Sequence, residues 1–119
     1  MALAIWHNPR CTKSRQTLAL IEDAGVEPSV RLYLEDPPSP AELAETLQVL
    51  GVEPWELARL GEALAKETGL KELARDEGSR EEWIRIMSAN PKLIERPVVL
   101  TDDGRGVIGR PPENVNELL

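Results

Sequence analysis

The sequence predicts an α/β fold in the order β-α-β, a run of helices, then β-β-α. A short apolar run, Leu3-Ala4-Ile5-Trp6, precedes apolar-compatible positions at three- and four-residue steps (Thr17, Leu18, Ile21, Ala24), and these precede the alternating Val30-Arg31-Leu32-Tyr33-Leu34. The stretch 37–89 carries helix signals throughout. Two short β-type runs, Pro97-Val98-Val99-Leu100 and Arg105-Gly106-Val107-Ile108, flank the hairpin turn signal Thr101-Asp102-Asp103-Gly104.

Residues 2–6 predict a buried strand that Asn8-Pro9 breaks. The first helix runs from about Thr12 or Lys13 to Ala24 and stops at Gly25, a left-handed cap. Residues 30–34 form the second strand, and a strand–helix–strand unit of this spacing favours a right-handed crossover with parallel pairing. Asp36-Pro37-Pro38 ends that unit. Ser39-Pro40-Ala41-Glu42 has the capping-box form with proline at the first helical position, and Leu43, Leu47 and Leu50 make one apolar stripe before Gly51. Pro54 opens a short helix with Trp55, Leu57 and Ala58, and another spans Glu62–Thr68 up to Gly69. Ser79-Arg80-Glu81-Glu82 repeats the capping-box form and opens a helix with Trp83, Ile86 and Met87 on its inner face, closed by Asn90-Pro91. Gly109-Arg110-Pro111-Pro112 leads into a last short helix carrying Val115 and Leu118.

A chain of 119 residues and 13.2 kDa suits a single domain, 1–119, with one modest core. Aromatic residues are 3% of the chain and Phe is absent, so Leu, Ile, Val and Ala must fill that core. No apolar run approaches the ~20 residues of a membrane span. No basic residue precedes the apolar run at Leu3–Trp6, so no signal peptide is expected. One cysteine allows no internal disulfide and suits a reducing cytoplasm. The excess of 21 acidic over 14 basic residues, a net charge of −7, argues against nucleic acid and anionic membrane as partners. A monomer is the expected state.

The stretch His7-Asn8-Pro9-Arg10-Cys11-Thr12-Lys13-Ser14-Arg15 holds the chain's only histidine and only cysteine, together with three cations. It places Cys11 in a strand-to-helix loop at a helix N-terminus, where exposed N–H groups and the positive dipole end favour anions and thiolate over thiol. A lone cysteine is commonly a small buried hydrophobe, and His7 alone fits the end of a strand. Burying Cys11 between Arg10 and Lys13 would bury charge as well, which favours a reactive thiol. In the Cys-x-x-Ser spacing, Ser14 stands where a resolving cysteine would sit. It can donate a hydrogen bond to a thiolate but forms no disulfide, so an external thiol must clear anything bound to the sulfur. Six positions after the cysteine stands Thr17 rather than arginine, against a phosphotyrosine-phosphatase loop. One histidine and one cysteine cannot by themselves make a metal site, and none is expected.

The element order around this motif resembles the thioredoxin fold: a mixed four-stranded sheet with an all-helical insertion at about 37–89. More closely, nearly the whole chain resembles the glutaredoxin-coupled arsenate reductase family. The resemblance rests on His7-Asn8-Pro9-x-Cys11-x-x-Ser14-Arg15, Tyr33-Leu34-Glu35 with Pro38, Arg59, Asn90-Pro91, Leu93-Ile94-Glu95-Arg96-Pro97-Val98-Val99 and Gly109-Arg110-Pro111. It implies that Cys11 is the nucleophile, assisted by His7 and Ser14, and that Pro97 follows a cis bond. Arg59, Arg96 and Arg110 then converge on an oxyanion, with Arg15 adding to the anion field; taken by itself, Arg59 also fits a surface helix arginine. The implied substrate is arsenate or a similar oxyanion, with glutathione as co-substrate, glutaredoxin as partner and no bound cofactor. Two departures stand out: Thr12-Lys13 replaces the Gly-Thr of common members, and the chain lacks the longer C-terminal tail of the best-known ones. Two alternatives stay open. One is a glutathione-linked thiol oxidoreductase acting on another substrate. The other is an Spx-type regulator that binds RNA polymerase, whose usual Cys-x-x-Cys switch this chain does not carry.

Overall fold

A computed structural model describes residues 2–119. The chain forms two compact units, Met1–Asp36 joined by Arg96–Leu119, and Pro37–Glu95.

The first unit contains β1 (Leu3–Trp6), α1 (Thr12–Asp23), β2 (Ser29–Arg31), β3 (Val98–Thr101), β4 (Gly106–Ile108) and a closing 3-10 helix, Pro112–Leu118. The sheet order is β2-β1-β3-β4. β1 pairs in parallel with β2 (Ile5 opposite Val30) and antiparallel with β3 (Ile5 opposite Val99), and β4 returns antiparallel to β3 (Val99 opposite Val107). This is the mixed four-stranded thioredoxin-like sheet that the sequence predicts. Its core is aliphatic, as a chain without Phe requires: Leu3, Ile5, Ile21, Val99, Val115 and Leu118 pack together, with Leu18, Leu20, Val26 and Val107 at the margin. α1 stops where Gly25 takes φ +81° and donates its N–H to the Glu22 carbonyl, while the Val26 N–H reaches back to Ile21.

Two expectations need correction here. β2 covers only Ser29–Arg31 rather than 30–34, because the N–H groups of Glu35 and Asp36 both turn back to the Leu32 carbonyl. The alternation seen in the sequence persists beyond the strand: Tyr33 is buried between exposed Leu32 and Leu34. The last helix is 3-10 rather than α, although Val115 and Leu118 are buried as expected.

The second unit holds α2 (Pro40–Leu50), α3 (Pro54–Leu57), α4 (Ala63–Glu67) and α5 (Arg80–Ala89), with 3-10 turns at Leu70–Glu72, Glu77–Ser79 and Pro91–Leu93. Ser39 caps α2, its hydroxyl accepting the Glu42 N–H at 3.1 Å, and Gly51 ends that helix at φ +69°. α2 packs on α5, with Leu43, Leu47, Trp83 and Met87 buried. The Trp83 indole donates to the Ala74 carbonyl at 2.7 Å and meets Trp55 edge-on at 6.0 Å. No cap forms at Ser79. It ends a 3-10 turn that Asp76 caps, the Asp76 carboxylate accepting the Ser79 N–H at 3.0 Å, and its backbone is helical (φ −101°, ψ −3°) rather than extended, so its hydroxyl caps nothing. The unit also runs past residue 89. Backbone bonds from Arg59 N–H to the Leu93 carbonyl (2.7 Å) and from Glu95 N–H to the Leu57 carbonyl (2.8 Å) tie 57–59 to 93–95 around an isolated Ala58–Ile94 bridge.

The two serines therefore separate in a stability measurement. Ser39→Ala lowers the free energy of unfolding in urea by about 1 kcal/mol, whereas Ser79→Ala stays within about 0.5 kcal/mol of wild type.

Candidate active site

Cys11 occupies the N-cap of α1 in an extended conformation (φ −95°, ψ 122°) and makes no side-chain capping bond. The loop before it is held by Asn8, whose carbonyl accepts the Cys11 N–H (3.0 Å) and whose side-chain oxygen accepts the Arg10 N–H (3.0 Å). The Cys11 carbonyl accepts the Arg15 N–H as the helix begins, again at 3.0 Å. Only 8% of Cys11 is exposed, yet Arg10, Thr12 and Lys13 are exposed. Burying the thiol thus does not bury the neighbouring charges, contrary to the sequence argument. Successive side chains at a helix start point about 100° apart, so Cys11, Ser14 and Thr17 share the buried face while the cations face water.

His7 and Ser14 meet each other beneath the loop. Their Nδ1 and Oγ atoms lie 2.7 Å apart, and the Asn8 N–H donates to the same hydroxyl oxygen at 3.0 Å. Burial pushes the His7 pKa below its ordinary value, and the Arg15 guanidinium pushes it further, against a smaller opposing pull from Glu22. His7 is therefore neutral at pH 7. Ser14 Oγ thus bridges the His7 ring and the Asn8 backbone N–H, tying the start of α1 to the end of β1. The hydrogen-bond partner of the sulfur is instead Arg110, whose Nη1 lies 3.8 Å from Cys11 Sγ and also donates to the Arg96 carbonyl at 3.2 Å.

The segment after β4 delivers Arg110. Gly109 donates its N–H to the Pro97 carbonyl (2.9 Å), and a Cβ at this position would lie 2.6 Å from Thr17 Oγ1 and 2.7 Å from Pro97 Cγ. No side chain larger than hydrogen fits there without displacing α1 or the proline ring. Asn114 then fixes the turn, its amide donating to the carbonyls of Ile108 (3.2 Å) and Arg110 (3.1 Å). The Arg96–Pro97 bond is cis, as the resemblance implies, and so is Arg110–Pro111, which the sequence reading did not anticipate.

The remaining predicted residues are placed as follows. Arg96 is half-buried and joins the group through its carbonyl. Arg15 folds over its own loop, donating to the Pro9 carbonyl (3.0 Å) and the Thr12 hydroxyl (3.3 Å). Arg59 lies in the second unit between two carboxylates, Glu62 at 2.7 Å and Glu95 at 3.4 Å. Its hydrogen bond holds the Glu62 carboxyl below the usual carboxylate range. Three residues take positioning roles that the sequence did not assign. Asn8 stood as a strand breaker and, like Gly109, as part of the motifs that carry the resemblance, and Asn114 carried no signal at all.

A family model described as the ArsC family matches residues 6–118. The chain belongs to the ArsC family. This ArsC-family chain is 40% identical over 120 residues to an arsenate reductase of Haemophilus influenzae, covering 100% of both chains. It is 48% identical over 116 residues to YfgD, an uncharacterized protein of Escherichia coli, covering 97% of this chain and 94% of the other. Among solved structures, an arsenate reductase from Vibrio cholerae superposes with a TM-score of 0.89 at 43% identity, covering 100% of this chain and 98% of the other. Among the described residues, no helix is long and apolar enough to cross a membrane.

Two outcomes follow from the geometry of this ArsC-family site. Gly109→Ala destabilises the fold by about 1–3 kcal/mol, the usual cost of forcing a methyl into filled space, measurable by urea denaturation. The lowered His7 pKa sets the sign of a pH effect. Below about pH 6.5 the unfolded chain binds a proton at His7 that the folded chain resists, so stability falls as pH drops through that value. The thermal midpoint should therefore decline more steeply between about pH 7.5 and about pH 5.5 in wild type than in His7→Asn.

Proposed function

We propose that this protein reduces arsenate to arsenite, with Cys11 as nucleophile and glutathione and glutaredoxin as the reducing system. The observation that carries the reading is the Arg110 guanidinium at 3.8 Å from Cys11 Sγ, with the same Nη1 on the Arg96 carbonyl. An anionic sulfur and a tetrahedral oxyanion repel one another, and planar guanidinium groups with paired donors offset that repulsion. Arg96 and Arg110 are proposed to bind the oxyanion. Arg59 is carried in the same proposal on resemblance alone, and Arg15 contributes through its charge and its hold on the loop.

In the proposed reaction the Cys11 thiolate attacks arsenic, a sulfur–arsenic bond forms, and one oxygen leaves as water after protonation. Glutathione thiolate then attacks the Cys11 sulfur. The sulfur–sulfur bond forms as the sulfur–arsenic pair withdraws to arsenic, which departs as arsenite, reduced by two electrons. Glutaredoxin exchanges with the resulting Cys11–glutathione disulfide and returns the thiolate. His7 and Ser14 hold the loop that presents the sulfur, with His7 kept neutral. The need for an external thiol follows from the single cysteine.

Arsenate reduction with glutathione and glutaredoxin supplied is the test. Turnover is expected in wild type and is expected to vanish in Cys11→Ser with the fold intact. Arg96→Lys should lower kcat/KM by about 10²-fold, the scale of losing one oriented oxyanion donor. An Arg96→Lys protein as active as wild type would sink the proposed arginine cradle. A glutathionylated peptide turned over faster than arsenate would transfer the chemistry to another substrate.

A further inference from the structure

Among the described residues, four large apolar side chains remain exposed, and three of them, Val30 (49%), Leu32 (38%) and Leu34 (44%), fall in one five-residue run. The run begins on β2, one of the two edge strands of the sheet. Because β2 is parallel to β1, its C-terminal end lies where β1 delivers the Cys11 loop, and the His7 N–H donates to the Arg31 carbonyl at 2.8 Å. The strip is held firmly. The Arg31 guanidinium lies over the Trp6 ring at 5.5 Å and bonds the Asp36 carbonyl (2.9 Å) and carboxylate (3.4 Å), closing the turn that presents Leu32 and Leu34. Tyr33 between them is 1% exposed, so the apolar exposure is selective rather than the result of a loose loop. Clustered exposure of this kind marks a contact surface.

Three features identify what covers it. The chain has one cysteine, so a disulfide at Cys11 is released only by a thiol on another molecule; this step rests on the proposed function. Glu35, next to Leu34, is exposed and forms no ion pair among the described residues; Arg10 and Lys13, flanking Cys11, are exposed and equally without one. The strip is also small, which suits the weak, brief encounters of redox partners rather than a permanent dimer. We propose that Val30, Leu32 and Leu34 form the docking surface for the thiol-carrying protein that clears Cys11. That partner surrounds its reactive sulfur with apolar side chains and brings a cation to Glu35 and a carboxylate to Arg10 and Lys13. In the exchange the partner thiolate attacks the outer sulfur of the Cys11 mixed disulfide. A new sulfur–sulfur bond forms on the partner, which is oxidised, and Cys11 departs with the electron pair as thiolate.

The test uses the full chain loaded at Cys11 with glutathione, and follows release by a glutaredoxin and by dithiothreitol. Leu32→Glu/Leu34→Glu should raise the KM for glutaredoxin by about tenfold, the scale of losing one interface hot spot. Glu35→Lys should raise it less, and neither variant should change the rate with dithiothreitol. Unchanged glutaredoxin kinetics in both variants would overturn the assignment, as would equal slowing with both reductants. A wild-type dimer in sedimentation that Leu32→Glu/Leu34→Glu dissolves would assign the strip to a second copy and likewise overturn it. Failure of wild type to release glutathione with any thiol would defeat the thiol-relay reading itself, independently of the variants.

Discussion

The site depends on how closely two segments 92 positions apart in the sequence approach each other: Thr17 on α1 and Gly109 after β4. Thr17 Oγ1 would stand 2.6 Å from any Cβ at position 109, and Pro97 Cγ would stand 2.7 Å from it. Gly109 has no positive φ to accommodate, so its role is the absence of a side chain rather than backbone freedom. With that gap closed, the Gly109 N–H reaches the Pro97 carbonyl, Asn114 fixes the following turn, and the Arg110 guanidinium comes to the sulfur. Packing therefore does the long-range work, and the charged side chain is only the last link.

The short-range work falls to Asn8, His7 and Ser14. Asn8 organises the loop by its backbone carbonyl, its amide N–H and its side-chain oxygen, while Ser14 joins the helix to the end of β1 through His7. A cysteine at an N-cap has a weak side-chain acceptor for helix N–H groups. Here it makes no capping bond, which leaves the sulfur to Arg110. The sequence pointed to Ser14 as a donor to the thiolate. The structure pairs that hydroxyl with the His7 ring and the Asn8 N–H, so its effect on the sulfur runs through the geometry of the loop.

Much of the fold was legible because its signals are local. The apolar run of β1, the proline and serine opening α2 and the glycines ending α1 and α2 each act within a few residues of themselves. What escaped was set by competition between neighbouring groups and by helix geometry. Ser79 has the sequence form of an N-cap, but Asp76 caps a 3-10 turn that already holds Ser79 in a helical conformation. Residues 30–34 alternate like a strand, but Arg31 and Asp36 close a turn there. Cys11 was expected to stay out because cations flank it, and helix geometry separated the two. Of the candidate residues, Cys11, Arg96 and Arg110 come together in the first unit, whereas Arg59 is engaged by Glu62 and Glu95 in the second. The approach of Arg110 to Cys11 and of Glu95 to Arg59 joins segments far apart in the sequence, so no local pattern announces either.

The central claim is that the Arg110 guanidinium acts electrostatically on the Cys11 sulfur. It is tested most directly by the rate of Cys11 alkylation with anionic iodoacetate relative to neutral iodoacetamide, measured in wild type and in Arg110→Leu. The account predicts that the ratio falls several-fold in the variant at low ionic strength and that added salt narrows the difference. A ratio that is the same in both proteins would contradict it.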